Sequence, residues 1–275
     1  MPANLLPTNA KEVSSTLETL QILKRYNAAI VDVWGTIYDG LAPISEMTDI
    51  LVQYRKSGGK VGLLSNSPKS NKAALARLLA KGVDRSSFDT ICTSGQMTIE
   101  WLKTTRIERV FHLGPTSNNS VLDEANVTNA KVEDAEIVLC SGLFDDKHET
   151  PLSYDTLFNE FLKHKMRMVC SNPDLKAPKG DQTVCCAGAV ARRYGVLGGP
   201  VKFIGKPEKS AFQFSVQTLQ HETHEEATTL STIVVGDNRE TDLKGAARLG
   251  SDCLFVAHYE PLKCWFIPYD PRNKT

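Results

Sequence analysis

Short apolar runs alternate with amphipathic stretches along most of this chain. The apolar runs predict buried strands at 28–34, 61–65, 90–94, 232–236 and 253–257. Apolar residues at helical spacing predict helices at 12–26, at 45–55 with Ser45 as N-cap, at 69–81 and around 240–248. Strands that alternate with helices indicate an α/β fold with a parallel sheet and right-handed crossovers.

The middle of the chain has a different pattern of apolar and polar segments. Strand-like runs at 109–113, 136–140 and 167–171 are separated by polar stretches and by helix-like segments at 154–165 and 187–194. This block could be a second α/β unit inserted into the first one. The alternative is a single continuous sheet, and the pattern alone leaves both open.

Composition narrows the class of protein. The 275 residues are 41% hydrophobic and 23% charged, which is typical of a soluble globular protein with a large core. Lys plus Arg and Asp plus Glu both number 32, so charge gives no support for binding to nucleic acid or membranes. No apolar run approaches the roughly 20 residues that span a bilayer, and no signal peptide is evident.

The seven cysteines lack the CxxC spacing of zinc sites. We interpret them as reduced thiols of a cytoplasmic protein.

Polar residues follow the ends of two predicted strands. Asp32 ends the first run and is followed by Gly35 and Thr36, while Ser65 and Asn66 end the second run before a predicted helix. Ligands of open α/β sheets bind at this edge, and phosphate suits a helix N-terminus. Taken alone, helix capping explains Asp32 as well as chemistry does, and it is the better explanation for Ser65 and Asn66.

Two further motifs lie near the end of the chain. Lys206 stands between Gly205 and Pro207, so it lies outside a regular helix and could face an anion. Asp237 follows an apolar strand and a glycine, with Asp242 five residues later. Carboxylates so placed suit Mg²⁺, which prefers oxygen ligands. A solvated lysine and a capping aspartate are the simpler alternatives.

Taken together and in this order, the four motifs resemble the haloacid dehalogenase-like hydrolase superfamily. The long middle segment, Cys170-Ser-Asn-Pro-Asp174, Cys186-Ala-Gly188 and Gly198-Gly-Pro200 are similar to its class IIA branch, whose phosphatases act on sugar phosphates, pyridoxal phosphate and p-nitrophenyl phosphate. The resemblance runs from about residue 28 to 257. It implies a Rossmann-like core at 1–96 and 201–275, with an inserted α/β cap domain at 97–200.

The resemblance also implies roles for individual residues. Asp32 would be the nucleophile that forms an aspartyl-phosphate, and Lys206 would neutralise charge beside it. The implied Mg²⁺ ligands are Asp32, the backbone carbonyl of Trp34 and Asp237, with Asp242 orienting the groups around the ion. The implied phosphate-binding residues are Trp34, Gly35, Ser65, Asn66 and Lys206, and the cap candidates are Asn172 and Asp174.

Trp34 departs from the family pattern. Class IIA phosphatases usually carry a second aspartate at this position, where it protonates the leaving group. General acid–base catalysis contributes about 10²–10⁴-fold, and an indole cannot supply it. Asp39 and Asp174 are candidate substitutes.

Three functions follow from this departure. The protein is an Mg²⁺-dependent phosphatase of a small phosphorylated metabolite, a degenerate member that binds such a ligand with little turnover, or a dehalogenase-like hydrolase. Dehalogenases have an aromatic residue at the position of Trp34, but they lack the carboxylate of Asp237. We therefore expect the phosphatase, with no nucleic-acid or membrane partner, and we leave a homodimer open.

Overall fold

The computed structural model describes residues 6–179, 182–223, 231–259 and 262–271. Its strands are β1 Lys11–Val13, β2 Ala28–Asp32, β3 Lys60–Ser65, β4 Thr90–Thr93, β5 Arg109–Leu113, β6 Thr128–Asn129, β7 Ile137–Cys140, β8 Met168–Cys170, β9 Lys176–Lys179, β10 Gln182–Cys185, β11 Val201–Phe203, β12 Thr232–Gly236, β13 Asp252–Tyr259 and β14 Leu262–Ile267. Its α-helices are α1 Thr16–Leu23, α2 Ser45–Lys56, α3 Asn71–Ala80, α4 Ser94–Thr105, α5 Ser120–Ala125, α6 Asp155–Lys163, α7 Ala187–Val196, α8 Lys209–Thr223 and α9 Lys244–Leu249. None of the described helices is long and apolar enough to cross a bilayer.

The described chain divides into two compact units. The first unit comprises Met1–Ser65, Leu75–Cys92 and Lys206–Thr275, and the second comprises Asn66–Ala74 and Thr93–Gly205. The α/β fold is confirmed, whereas the inserted cap at 97–200 stays a prediction. The short segment 66–74 groups with the second unit, which the sequence pattern did not indicate.

The first unit contains a seven-stranded sheet in the order β1-β14-β13-β12-β2-β3-β4. The pairs β13–β12, β12–β2 and β2–β3 are parallel, and β2 is buried along its whole length. Burial on both faces explains why these strands read as continuous apolar runs. The chain moves from β2 to one side and from β12 to the other, so the two strands flank a switch point of the kind where ligands bind.

The second unit has its own five-stranded sheet, in the order β11-β8-β7-β5-β6, with parallel pairs throughout. Its core includes Phe158 and Phe161 of α6 and Tyr194 of α7, which are fully buried. Three or four positions separate the apolar residues of α6, so one face of this helix is apolar and reaches that core.

Several predicted elements were wrong in detail. The helix predicted at 12–26 is β1 followed by α1, whose N-cap is Ser15, and β1 pairs antiparallel with β14. Ser45 is not an N-cap, because Ile44 holds that position without a side-chain hydrogen bond. A π-helical turn, Arg239–Leu243, precedes α9 in the segment predicted as one helix.

Candidate active site

Asp32 and Asp237 lie side by side at the carboxyl edge of the first sheet. Asp32 is the last residue of β2, and Val31 pairs in register with Val235 of β12. Gly236 therefore ends β12 beside Asp32, and Asp237 comes next. Since the strands are parallel, both carboxylates emerge at the same edge, as the sequence predicted.

The turn after β2 is built around Gly35. Its φ of +78° lies in the left-handed region, which a side chain disfavours. A Cβ on this residue would stand 2.0 Å from an Oδ atom of Asp237. Gly35 therefore opens the space that the Asp237 carboxylate occupies. This steric role was not part of the sequence prediction, which placed Gly35 among the phosphate-binding residues.

Lys206 connects two of the carboxylates. Its Nζ donates hydrogen bonds to Asp32 Oδ1 at 2.5 Å and to Asp242 Oδ1 at 2.7 Å. Only 3% of Lys206 and 1% of Asp242 are exposed to solvent, so water does not screen these ion pairs. The alternative of a solvated lysine is therefore wrong.

Asp242 reaches this cluster from the π-helical turn. A Cβ on Gly236 would stand 2.3 Å from Asp242 Cγ, so the glycine that ends β12 makes room for the second acid. The Asp242 carboxylate also accepts a hydrogen bond from the Asn238 backbone N–H at 3.2 Å. Asp242 therefore turns inward to Lys206.

Burial dominates the electrostatics of the three acids. It raises the pKa of Asp32 to about 7, against the opposing effect of Lys206. It raises the pKa of Asp242 to about 7 and that of Asp237 to about 6, and in each case a neighbouring carboxylate adds to the shift. Burial alone would lower the pKa of Lys206, but Asp242 and Asp32 outweigh it and raise that pKa.

The cluster fits a hard divalent cation. Oxygen atoms of Asp32, Asp237 and Asp242 lie within 4.8 Å of one another. When all three carboxyl groups are ionised, the single ammonium leaves two negative charges uncompensated, and oxygen is the donor that Mg²⁺ prefers. Burial raises the pKa values of these carboxyl groups, and a bound cation would favour their ionised forms.

Ser65 and Asn66 are both buried at the end of β3. Asp32 pairs in register with Leu64, so Ser65 lies one position beyond it at the same edge of the sheet. The helix predicted to open at residue 69 begins at Asn71 instead. A five-residue loop therefore separates Ser65 from α3, and the predicted start of this helix was two residues early.

Trp34 is half-buried and packed within the first unit. Its ring lies edge-on to Tyr38, with centroids 5.2 Å apart, and the Arg77 guanidinium stands 5.5 Å from its centroid. A Cβ on Gly40 would come within 3.2 Å of the indole. The indole therefore occupies a fitted space rather than projecting freely.

The two candidate substitute acids have other partners. Asp39 Oδ1 accepts hydrogen bonds from the backbone N–H groups of Leu41 and Ala42, both at 2.7 Å, so it shapes a turn. In the second unit, Asp174 Oδ1 accepts from Asn66 Nδ2 at 2.8 Å. Asn172 Oδ1 accepts from the Asp174 backbone N–H at 3.1 Å.

Known proteins with this architecture identify the family. A solved hydrolase of the haloacid dehalogenase-like family from Brucella suis 1330 superimposes with a TM-score of 0.81 and 30% identity, over 86% of this chain and 87% of its own. The chain belongs to the haloacid dehalogenase-like hydrolase family. The family model for haloacid dehalogenase-like hydrolases matches residues 29–128, and a related HAD-hydrolase-like model matches 203–258.

Further relatives of this haloacid dehalogenase-like hydrolase are phosphatases. The acid sugar phosphatase of Staphylococcus epidermidis is 26% identical over 90% of this chain and 93% of its own length. The p-nitrophenyl phosphatase from Archaeoglobus fulgidus has the same fold, with a TM-score of 0.66 and 22% identity over 84% of this chain and 86% of its own. These matches confirm the class IIA resemblance.

Two residues next to the site of this family member escaped the sequence analysis. Ser94 Oγ donates a hydrogen bond to Asn66 Oδ1 at 3.2 Å, and Arg77 stacks on Trp34. Ser94 is the first residue of α4, where a serine reads as an ordinary helix-start residue. Arg77 is the one charged residue in the apolar stretch 73–80 of α3, and nothing in that pattern distinguishes it from a solvated charge.

Proposed function

We propose that this protein hydrolyses the phosphate monoester of a small metabolite, with a sugar phosphate as the favoured class, in an Mg²⁺-dependent reaction. The observation that carries the proposal is the buried Lys206 ammonium held between Asp32 and Asp242, with Asp237 adjoining. A negative nucleophile attacking a phosphate dianion needs such charge compensation. The staphylococcal acid sugar phosphatase supports the substrate class.

In the proposed reaction, Asp32 is the nucleophile. One of its carboxylate oxygens forms a bond to phosphorus while the ester P–O bond breaks, and the alcohol leaves with a proton from water. The resulting aspartyl-phosphate is then hydrolysed by water, which releases phosphate and restores the carboxylate. Lys206 holds Asp32 in place and offsets negative charge beside it.

The residues proposed to hold Mg²⁺ are Asp32, Asp237 and the backbone carbonyl of Trp34, with Asp242 fixing Lys206 beside them. The bound ion would supply electrostatic stabilisation of the phosphoryl oxygens. Ser65 and the backbone N–H of Asn66 are proposed to bind those oxygens as hydrogen-bond donors, and Gly35 keeps the space for Asp237 open.

Trp34 favours a second candidate function, in which the protein binds a phosphorylated ligand with little turnover. An indole cannot protonate a leaving group, so esters with poor leaving groups lose that contribution. A dehalogenase is disfavoured, because its chemistry needs no metal and the carboxylates of Asp237 and Asp242 adjoin Asp32.

A substrate panel separates these functions. Phosphate release is measured from sugar phosphates, other metabolite esters and p-nitrophenyl phosphate, with Mg²⁺ or with EDTA, for the wild type and for Asp32→Asn. The phosphatase predicts turnover that requires Mg²⁺ and that is lost in Asp32→Asn while the fold is retained. Ligand-induced thermal stabilisation without turnover selects the binding protein, and wild-type turnover by Asp32→Asn excludes Asp32 as the nucleophile.

A further inference from the structure

The side-chain amide of Asn66 is held at both ends within the second unit. Its Nδ2 donates to Asp174 Oδ1 at 2.8 Å, and its Oδ1 accepts from Ser94 Oγ at 3.2 Å. Asn66 is 4% exposed, so water competes little for these hydrogen bonds. The bond to Asp174 has a carboxylate acceptor and is therefore the stronger of the two.

The backbone of Gly205 packs closely against the Asn66 side-chain amide. A Cβ on Gly205 would stand 2.5 Å from Asn66 Oδ1 and 2.2 Å from Ser94 Oγ. The residue has a φ of +137°, in the region that favours glycine. The Asn66 amide therefore lies in a fitted polar enclosure rather than in a loose loop.

Asp174 is itself fixed. Its backbone N–H donates to Asn172 Oδ1 at 3.1 Å, and its backbone carbonyl accepts from the Gly188 N–H at 3.1 Å. A Cβ on Gly188 would stand 2.5 Å from that carbonyl oxygen, so α7 packs directly on the loop. The acceptor that orients Asn66 is thus anchored to a helix.

We propose that Asp174 is a positioning residue that fixes the phosphate-binding residue Asn66, and that it is not the missing general acid. This inference rests on the proposed function, in which the Asn66 backbone N–H binds a phosphoryl oxygen. Asn66 lies in the loop that precedes α3. The two hydrogen bonds to its side chain restrain this residue and so help to align its N–H donor.

Substitutions at Asp174 separate its two roles. Its Oδ1 faces an amide N–H that can only donate, so this oxygen acts as a hydrogen-bond acceptor. An acceptor oxygen is all that the positioning role requires. Asparagine keeps that oxygen and cannot act as an acid, so Asp174→Asn and Asp174→Ala distinguish the roles.

The test measures inorganic phosphate binding by titration calorimetry in the presence of Mg²⁺, together with kcat and KM on the best ester. Asp174→Ala should weaken phosphate binding and kcat/KM by about tenfold, the usual scale for a lost hydrogen bond to a charged group. Asp174→Asn should lose about threefold or less, because a neutral acceptor retains roughly half of the bond strength.

Controls keep the result specific. Asp155→Ala removes a carboxylate that pairs with Arg193 in the same unit, and it should leave phosphate affinity unchanged. Ser94→Ala removes the other hydrogen bond to the Asn66 amide and should weaken phosphate binding in the same direction. If Asp174→Ala does not fold, Asp174→Asn decides the matter, because it removes the acid and keeps the acceptor oxygen.

Each outcome has a clear meaning. Equal losses of kcat in Asp174→Asn and Asp174→Ala with unchanged phosphate affinity would overturn positioning in favour of the acid. Phosphate binding by the wild type without turnover, weakened in Asp174→Ala, supports positioning while it refutes hydrolysis. A wild type that binds no phosphate and hydrolyses no ester overturns both proposals.

Discussion

At the scale of single residues, burial determines how the charged groups of the site interact. Lys206 and Asp242 are ordinary charged residues that pay a large desolvation cost away from water, and each is stable there because the other is its partner. Removing only one partner leaves an uncompensated buried charge. Each of these two residues therefore depends on the other for its place in the buried cluster.

The raised pKa values predict how the metal-free protein responds to pH. Asp32 and Asp242 have folded-state pKa values of about 7, above the ordinary value of about 4, so the folded state binds more protons than the unfolded state between these limits. The free energy of unfolding should therefore fall as pH rises from about 4 to about 7. Asp32→Asn should make this fall shallower, by up to about 1.4 kcal/mol per pH unit.

Urea unfolding in EDTA at pH 5, 6 and 7 measures this slope. Asp155→Asn is the control, because its pairing with Arg193 lowers the pKa of Asp155 and takes it out of this pH range. An Asp32→Asn protein with the wild-type slope would show that Asp32 is ionised throughout.

Trp34 predicts a pattern of substrate preference. If a missing acid limits turnover, Trp34→Asp should raise the hydrolysis of alkyl phosphates more than that of p-nitrophenyl phosphate, whose leaving group needs no proton. Loss of the indole from Tyr38 and Arg77 should cost about 1–3 kcal/mol of stability.

Trp34→Asn is the matched control for this substitution. It removes the same packing without supplying an acid, so it should show no gain. A folded Trp34→Asp protein without improvement on any alkyl phosphate would mean that leaving-group protonation is not what the site lacks.

At the scale of elements, the turn after β2 links a backbone conformation to the position of Asp237, a proposed Mg²⁺ ligand. Gly35→Ala should introduce strain of about 1–2 kcal/mol from its positive φ and should also displace the Asp237 carboxylate. We expect Mg²⁺ affinity, measured by titration calorimetry, to fall at least tenfold.

Gly58→Ala is the control that introduces positive-φ strain without displacing Asp237. Gly58 has a φ of +99°, but a Cβ there would meet no atom within 4 Å. It should lose similar stability and keep wild-type Mg²⁺ affinity. Equal loss of affinity in both variants would assign the effect to general destabilisation rather than to Asp237.

The interior elements were the predictable ones. The buried strands β2, β3 and β12 lie close to where the apolar runs placed them, because strands buried on both faces must be apolar throughout. The strands β1 and β14 were not predicted. β1 has only three residues, and β14 contains a lysine among its apolar residues, so neither shows a continuous apolar run along its length. The N-terminal helix was overextended for the same reason.

At the scale of the whole molecule, metal and phosphate should stabilise the folded protein. A ligand at a hundred times its dissociation constant adds about 2.7 kcal/mol, which is roughly 5–10 °C in melting temperature for a chain of this size. Mg²⁺ should produce such a rise and EDTA should reverse it. Asp237→Ala should abolish most of the rise, and an undiminished rise would place the cation elsewhere.

The sequence alone determined the order of motifs, the α/β class and the family. Apolar periodicity and strand-end carboxylates are local properties, so one chain displays them without its partners. It also identified Asp32, Lys206, Asp237 and Asp242 as candidates, although each of them taken singly also had an explanation by capping, turn formation or solvation.

Only the tertiary structure decided which candidates meet. Lys206 and Asp32 are 174 positions apart, and parallel strands from distant segments bring their charges into one buried cluster. The hydrogen bond between Asp174 and Asn66 spans 108 positions in the same way. Hydrogen bonds and desolvation act through space over a few ångströms, so linear spacing leaves them undetermined.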